Sequence, residues 1–90
     1  MVREQLQEAA THLQSASEGA ADDAASERLT ELAEQLDRLA TGDRGPDHGR
    51  MARIQNALSD LKSEVAEEVV ADIDAAKDAI SAYRETVEGV

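Results

Sequence analysis

The chain has 90 residues, with 20 acidic and 9 basic side chains, a formal net charge of −11 and no cysteine. A net charge of this size and sign argues against DNA, RNA or an anionic membrane as a partner, because each would repel the protein. The absence of cysteine excludes disulfides and thiolate metal sites, and the length allows one domain, residues 1–90.

The sequence offers no segment for membrane insertion or export. No run of apolar residues approaches the roughly 20 that are needed to span a bilayer. The amino terminus also lacks a charged segment followed by an apolar stretch, which is the pattern of a secretory signal. The sequence therefore predicts a soluble, cytoplasmic protein.

The first half of the chain has the spacing of two amphipathic helices, with apolar residues recurring at steps of three and four. The predicted faces are Val2, Leu6, Ala9, Leu13, Ala16 and Ala20, then Ala25, Leu29, Leu32, Leu36 and Leu39. A step of five separates the two series just after Gly19, and Asp22 or Asp23 can cap a new helix. The pattern predicts helices over about 2–18 and 22–41.

Helical spacing continues through the second half of the chain. The apolar positions are Met51, Ile54, Leu58, Leu61, Val65, Val69, Ile73, Ala76, Ile80, Tyr83 and Val87. No glycine or proline occurs from 50 to 88, so the simplest interpretation is one helix of about 40 residues and roughly 60 Å. Such a helix is difficult to cover within one small domain.

A break near the middle of this stretch resolves that difficulty. Lys62 suits a helix C-terminus, and Ser63 followed by Glu64 suits an N-cap with an acidic first turn. We therefore predict helices over about 47–61 and 65–88.

The predicted fold is all-α, a small up-and-down four-helix bundle. Four amphipathic helices joined by short connections favour this architecture. No alternating run of β-branched or aromatic residues bounded by turns predicts a strand. The alternative is two short helices followed by one long helix over about 47–88.

The segment 42–53 differs from the rest of the sequence. It contains the only proline, three of the five glycines and three of the nine basic residues. Gly42 suits a helix C-cap, Gly45-Pro46 a turn, and Asp47 the cap of the next helix. These roles explain the glycines, the proline and the aspartate as the connection between two helices.

Four basic side chains of this segment have no role in such a connection, and they are Arg44, His48, Arg50 and Arg53. Cations at a helix N-terminus face the unfavourable end of the helix dipole. Three explanations remain open for them. They could form ion pairs with other helices or a second subunit, contact a partner protein, or hold a small anion with the amides of the helix start.

An acidic series at i+4 spacing consists of Asp60, Glu64, Glu68 and Asp72. On one helix these side chains would form a like-charged ridge that weakens the helix at low ionic strength. Salt at about 1 M shortens the Debye length to roughly 3 Å and would screen most of this repulsion. The series lacks a calcium-binding loop pattern, so we predict a solvated surface and no metal site.

No catalytic residue and no cofactor site are predicted. The serines are scattered through the helices without a motif that would raise one from the surface. His12 and His48 are 36 positions apart and fit no zinc spacing. The sequence therefore does not indicate an enzyme.

Two strings distinguish the chain beyond its composition, G-P-D-H-G at 45–49 and Y-R-E-T-V-E-G-V at 83–90. Together with the acidic, alanine-rich helices, they resemble a family of short haloarchaeal proteins of unknown function. The resemblance extends over essentially all of the chain. It implies a halophilic archaeal cytoplasm and an all-helical fold, and it transfers no activity, cofactor or site.

The function predicted from the sequence is a non-catalytic helical interaction module that self-associates as a homodimer or docks to a protein partner. The predicted contact patch is Arg44, His48, Arg50 and Arg53. The alternative is a sensor of a small anion, such as phosphate or a nucleotide, that uses the helix start in 42–53.

Overall fold

The computed structural model describes residues 3–42 and 48–88, and within them the fold is the predicted small four-helix bundle. Its elements are α1 (Glu4–Gly19), α2 (Asp23–Thr41), α3 (His48–Leu61), one turn of 3-10 helix (Lys62–Glu64) and α4 (Glu67–Glu88). These ranges contain no strand, and none of their helices is long and apolar enough to cross a membrane.

Contacts at the helix ends show that successive helices alternate in direction. The Arg3 amide donates to the Ala40 carbonyl at 2.9 Å, so α1 begins where α2 ends. Arg84 Nε donates to His48 Nδ1 at 3.3 Å, so α4 ends where α3 begins. This is the up-and-down arrangement that the short connections predict.

Gly19 is the last residue of α1, and α4 passes close to it. No glycine in the described residues has a positive φ, so Gly19 is not a left-handed cap. A Cβ added at Gly19 would lie 3.3 Å from Val69 Cγ2 of α4, which is tighter than most contacts of a real Cβ. The helix stops as predicted, but the reason for the glycine lies in another helix.

Asp22, one of the two predicted candidates, is the N-cap of α2. Its backbone is extended, and its carboxylate accepts a hydrogen bond from the Ala25 amide at 2.9 Å. This bond satisfies one of the amides that a helix start leaves without a partner.

Removal of this cap has a predictable cost. We expect Asp22→Ala to lower the free energy of unfolding by about 1 kcal/mol, because the Ala25 amide loses its acceptor. Urea unfolding followed by circular dichroism measures the change. Asp22→Asn is the matched control, since asparagine also caps helices; a loss as large as that of the alanine variant would contradict the capping role.

The break in the second half of the chain is present, and the alternative of one long helix over 47–88 is wrong. After Leu61 the chain makes a 3-10 turn, and Val65 is extended with φ −130° and ψ 163°. An extended residue cannot continue a helix, so α4 begins anew at Glu67.

The predicted N-cap at Ser63 is wrong. Its hydroxyl donates to the Asp60 carbonyl at 3.0 Å and so completes the end of α3. Lys62 Nζ lies 2.7 Å from Asp74 Oδ1, an ion pair that links the turn to α4.

The predicted acidic ridge is also wrong, because the break divides it. Asp60 lies on α3, Glu64 in the 3-10 turn, and the other two acids lie on α4. Asp72 Oδ1 is 3.6 Å from His12 Nδ1 of α1. The two halves of the series therefore face different neighbours.

Among the residues that the structure describes, the core is one cluster of nineteen buried residues, seven of them alanines, contributed by all four α-helices. Most predicted core positions are buried. Ala20, Leu39, Val65 and Tyr83 are half-buried, and Val2 and the Val87 side chain lie outside the described residues. The buried alanines lie on α1, α2 and α4, and they let α1 approach both α2 and α4 closely. In contrast, the buried positions of α3 are Met51, Ile54, Leu58 and Leu61. These larger side chains hold the α3 backbone farther from α2.

Candidate functional site: the groove between α2 and α3

Several basic side chains join one part of the fold to another, and among them are Arg3, Lys62, Lys77 and Arg84. Arg3 Nη1, for example, donates to the carbonyls of Leu39 at 2.9 Å and Gly42 at 3.0 Å, where α2 ends. Three further arginines line one groove.

This groove runs between α2 and α3 and has a volume of about 330 Å³. It is lined by Arg28, Leu32, Gln35, Arg50, Arg53 and Ile54. Leu32 and Ile54 are buried and form the floor, whereas the three arginines are exposed. The wider spacing of α2 and α3 leaves room for the groove.

The groove continues toward the other end of α3, where its charge reverses. A second concavity of about 240 Å³ is lined by Ala24, Ala25, Arg28, Ala57, Asp60, Leu61 and Glu64. Arg28 borders both parts. One end of the surface is therefore basic, with Arg50 and Arg53, and the other end is acidic, with Asp60 and Glu64.

The predicted contact residues do not all lie together. Arg50 and Arg53 are on the flank of α3 that faces α2, and both line the groove. His48 is on the opposite flank and contacts Arg84 of α4. Arg44, the predicted turn at Gly45-Pro46 and the predicted cap at Asp47 lie outside the described residues.

His48 belongs to a polar seam between α3 and α4. Arg84 Nε donates to its Nδ1 at 3.3 Å, and Arg84 Nη1 donates to Gln55 Oε1 at 2.7 Å. Gln55 Nε2 in turn donates to Ser81 Oγ at 3.0 Å. The seam fastens two helices to each other, which gives His48 a structural role.

Arg28 is the site residue that the sequence alone did not reveal. It lies on α2, 22 positions before Arg50, and only the packing of α2 beside α3 brings them to one groove. Its guanidinium is 47% exposed and lies 3.4 Å from Glu31 on the same helix. An exposed pair of this kind contributes little to stability, so a competing carboxylate can replace Glu31 at small cost.

The chemistry available in the groove is recognition of carboxylates. Guanidinium groups bind carboxylates through two parallel hydrogen bonds and stay charged at all ordinary pH values. None of the six residues that line the basic part offers a nucleophile or a general base. Among the described residues, no group of three or more histidine, aspartate or glutamate side chains is arranged to hold a metal ion.

Comparison with known proteins identifies the family but no activity. The chain belongs to DUF7553, a family of unknown function, whose model matches residues 1–86. No curated protein and no solved structure matches the chain.

Proposed function

For this member of a family of unknown function, we propose a non-catalytic protein-interaction module whose contact surface is the groove between α2 and α3. Its basic part, Arg28, Arg50 and Arg53, binds carboxylates presented by another protein surface. The observation that carries the proposal is the convergence of three arginines from two helices in a chain with a net charge of −11.

The charge balance makes this convergence informative. Several basic groups of this chain join its own helices to one another. Three exposed guanidiniums close together in one groove produce a local field opposite in sign to that of the whole protein. Such a patch favours acidic partners at short range.

High salt would support binding at this patch. Two acidic proteins repel each other at long range, but at about 1 M salt the Debye length is roughly 3 Å, so this repulsion is screened strongly while contacts at hydrogen-bonding distance are weakened less. We therefore place the module in a salt-rich archaeal cytoplasm, consistent with its excess of acids. Screening removes the long-range repulsion and leaves the direct guanidinium–carboxylate contacts.

A sensor of small anions at the start of α3 has less support. That function needs His48, Arg50 and Arg53 to converge on the first turn of α3. His48 instead accepts a hydrogen bond from Arg84 on the far flank, and the arginines line the side of the helix. A lateral groove shared with α2 fits an extended protein surface better than a single phosphate.

A peptide titration tests the proposal. The ligand is a short synthetic helical peptide with glutamates along one face, added in excess, and its glutamine counterpart is the negative control. We expect amide shifts at residues 28, 50 and 53 with the glutamate peptide only. Arg53→Glu should weaken binding at least tenfold, about 1.4 kcal/mol, because it replaces an attraction with a repulsion.

Arg38→Glu is the matched control variant, since Arg38 is also an exposed arginine but does not line the groove. It makes the same change in net charge and should alter the affinity by less than about twofold, as expected for a remote surface charge. Equal weakening by the two variants would show a nonspecific charge effect and contradict the proposal. Shifts caused by inorganic phosphate alone, without peptide binding, would favour the small-anion alternative.

A further inference from the structure

A stripe of five residues runs along the flank of α3 beside α2 and into the 3-10 turn: Arg50, Arg53, Ala57, Asp60 and Glu64. The four members on α3 are three, four and three residues apart, the spacing that keeps side chains on one face of a helix, and Glu64 in the 3-10 turn lines the same concavity as Asp60. Each of the five lines the groove or its continuation. The stripe is therefore one continuous surface.

The charges of this stripe are antisymmetric about its centre. Arg50 and Glu64 each lie seven residues from Ala57, and Arg53 and Asp60 lie four and three residues from it. A second copy related to the first by a two-fold axis beside Ala57 therefore places its basic end over the acidic end of the first copy. A surface with this property is complementary to itself in an antiparallel arrangement, as a two-fold interface requires.

We infer that the partner of the groove is a second copy of this chain, related by a two-fold axis beside Ala57. In this dimer Arg50 and Arg53 of each copy face Glu64 and Asp60 of the other. The inference rests on the proposed function and specifies its partner. It also gives the acidic end of the groove a role. Binding of carboxylates by the arginines alone would leave Asp60 and Glu64 without one.

The acidic end discriminates against other acidic partners. A uniformly acidic helix that spans the whole groove would meet Arg50 and Arg53 at one end, but Asp60 and Glu64 would repel it at the other, so only a short acidic peptide confined to the basic part can bind. A second copy presents arginines to that end. Opposed charges across an interface set orientation and partner choice in this way.

The centre of the stripe permits close approach. Ala57 is half-buried and has the smallest side chain in the stripe. From residue 50 to residue 64 the stripe extends about 20 Å at the rise of an α-helix. When the stripes of two copies meet, four arginine–carboxylate pairs surround the two Ala57 side chains.

A charge exchange tests the dimer. Wild type, Arg50→Glu/Arg53→Glu and Asp60→Arg/Glu64→Arg are compared by sedimentation at about 1 M KCl, where long-range repulsion is screened. We expect wild type to self-associate and each double variant alone to associate at least tenfold more weakly, because like charges then face each other. An equal mixture of the two variants should form a heterodimer as readily as wild type forms its homodimer. Circular dichroism verifies that both variants are folded.

The outcomes separate this inference from the proposed function. If the mixture does not associate, the two-fold charge pairing is wrong. If wild type stays monomeric at every concentration but binds the glutamate peptide, this inference fails and the proposed function stands. If wild type is monomeric and does not bind the peptide, both fail.

A crosslinking measurement tests the axis without changing any charge. The natural chain has no cysteine, so Ala57→Cys introduces a single thiol beside the proposed axis. Mild oxidation should link two copies of this variant much faster than two copies of Ala71→Cys, whose alanine is exposed on α4. Equal rates would overturn the position of the axis.

Discussion

We expect Leu36→Ala to lower the free energy of unfolding by about 3–4 kcal/mol, a large part of the stability of so small a protein. Leu36 is fully buried on α2. Removal of its three outer carbons loses burial energy and leaves a cavity that rigid neighbouring helices cannot close. Urea unfolding at constant high KCl measures the loss.

Leu39→Ala is the matched control because it makes the same chemical change on the same helix. Leu39 is only half-buried, at the edge of the core. We expect it to cost about 1–2 kcal/mol, since part of its side chain is already in contact with water. A cost equal to that of Leu36→Ala would contradict the position of the core.

The second large effect is stabilisation by salt. Five pairs of acids stand at i,i+4 within the helices, and they are Glu4–Glu8, Asp23–Glu27, Glu27–Glu31, Glu68–Asp72 and Asp74–Asp78. Such like-charge pairs destabilise a helix by about 0.2–0.5 kcal/mol each at low salt. Screening should therefore stabilise the fold by about 1–2.5 kcal/mol, and the thermal midpoint should rise by roughly 5–15 °C between low salt and about 1 M KCl.

Glu27→Gln distinguishes screening from other effects of salt. Glu27 is exposed and belongs to two of the five pairs, so its neutralisation removes a large part of the repulsion on α2. The variant should be more stable than wild type at low salt and gain less from KCl. A wild type whose thermal midpoint is constant or falls as KCl rises would contradict the electrostatic explanation.

Local patterns predicted the fold well where the physical cause was local. The cap at Asp22 involves an amide three residues away, and the end of α1 at Gly19 follows a break in the apolar spacing. The interruption after Leu61 was predicted from the length of the apolar series. The role of Ser63 was not predicted correctly, because a hydroxyl at such a junction can complete one helix or begin the next.

The site was predicted only in part. The basic residues at a helix start predicted a contact patch that includes Arg50 and Arg53, and both line the groove. The predicted patch also included His48, which lies on the other flank of α3, against Arg84 of α4. Sequence spacing cannot specify which neighbour each flank of a helix will meet.

By itself, the sequence determined the amphipathic helical pattern and the sign of the surface charge, because hydrophobic periodicity and composition are properties of the chain alone. Only the tertiary structure decided that Arg28 lies across from Arg50 and Arg53, and that Asp60 and Glu64 extend the same groove to an acidic end. The physical reason is the distance between helices. Alanines draw α1 close to α2 and α4, whereas the bulky core residues of α3 hold it away from α2 and leave the groove between them.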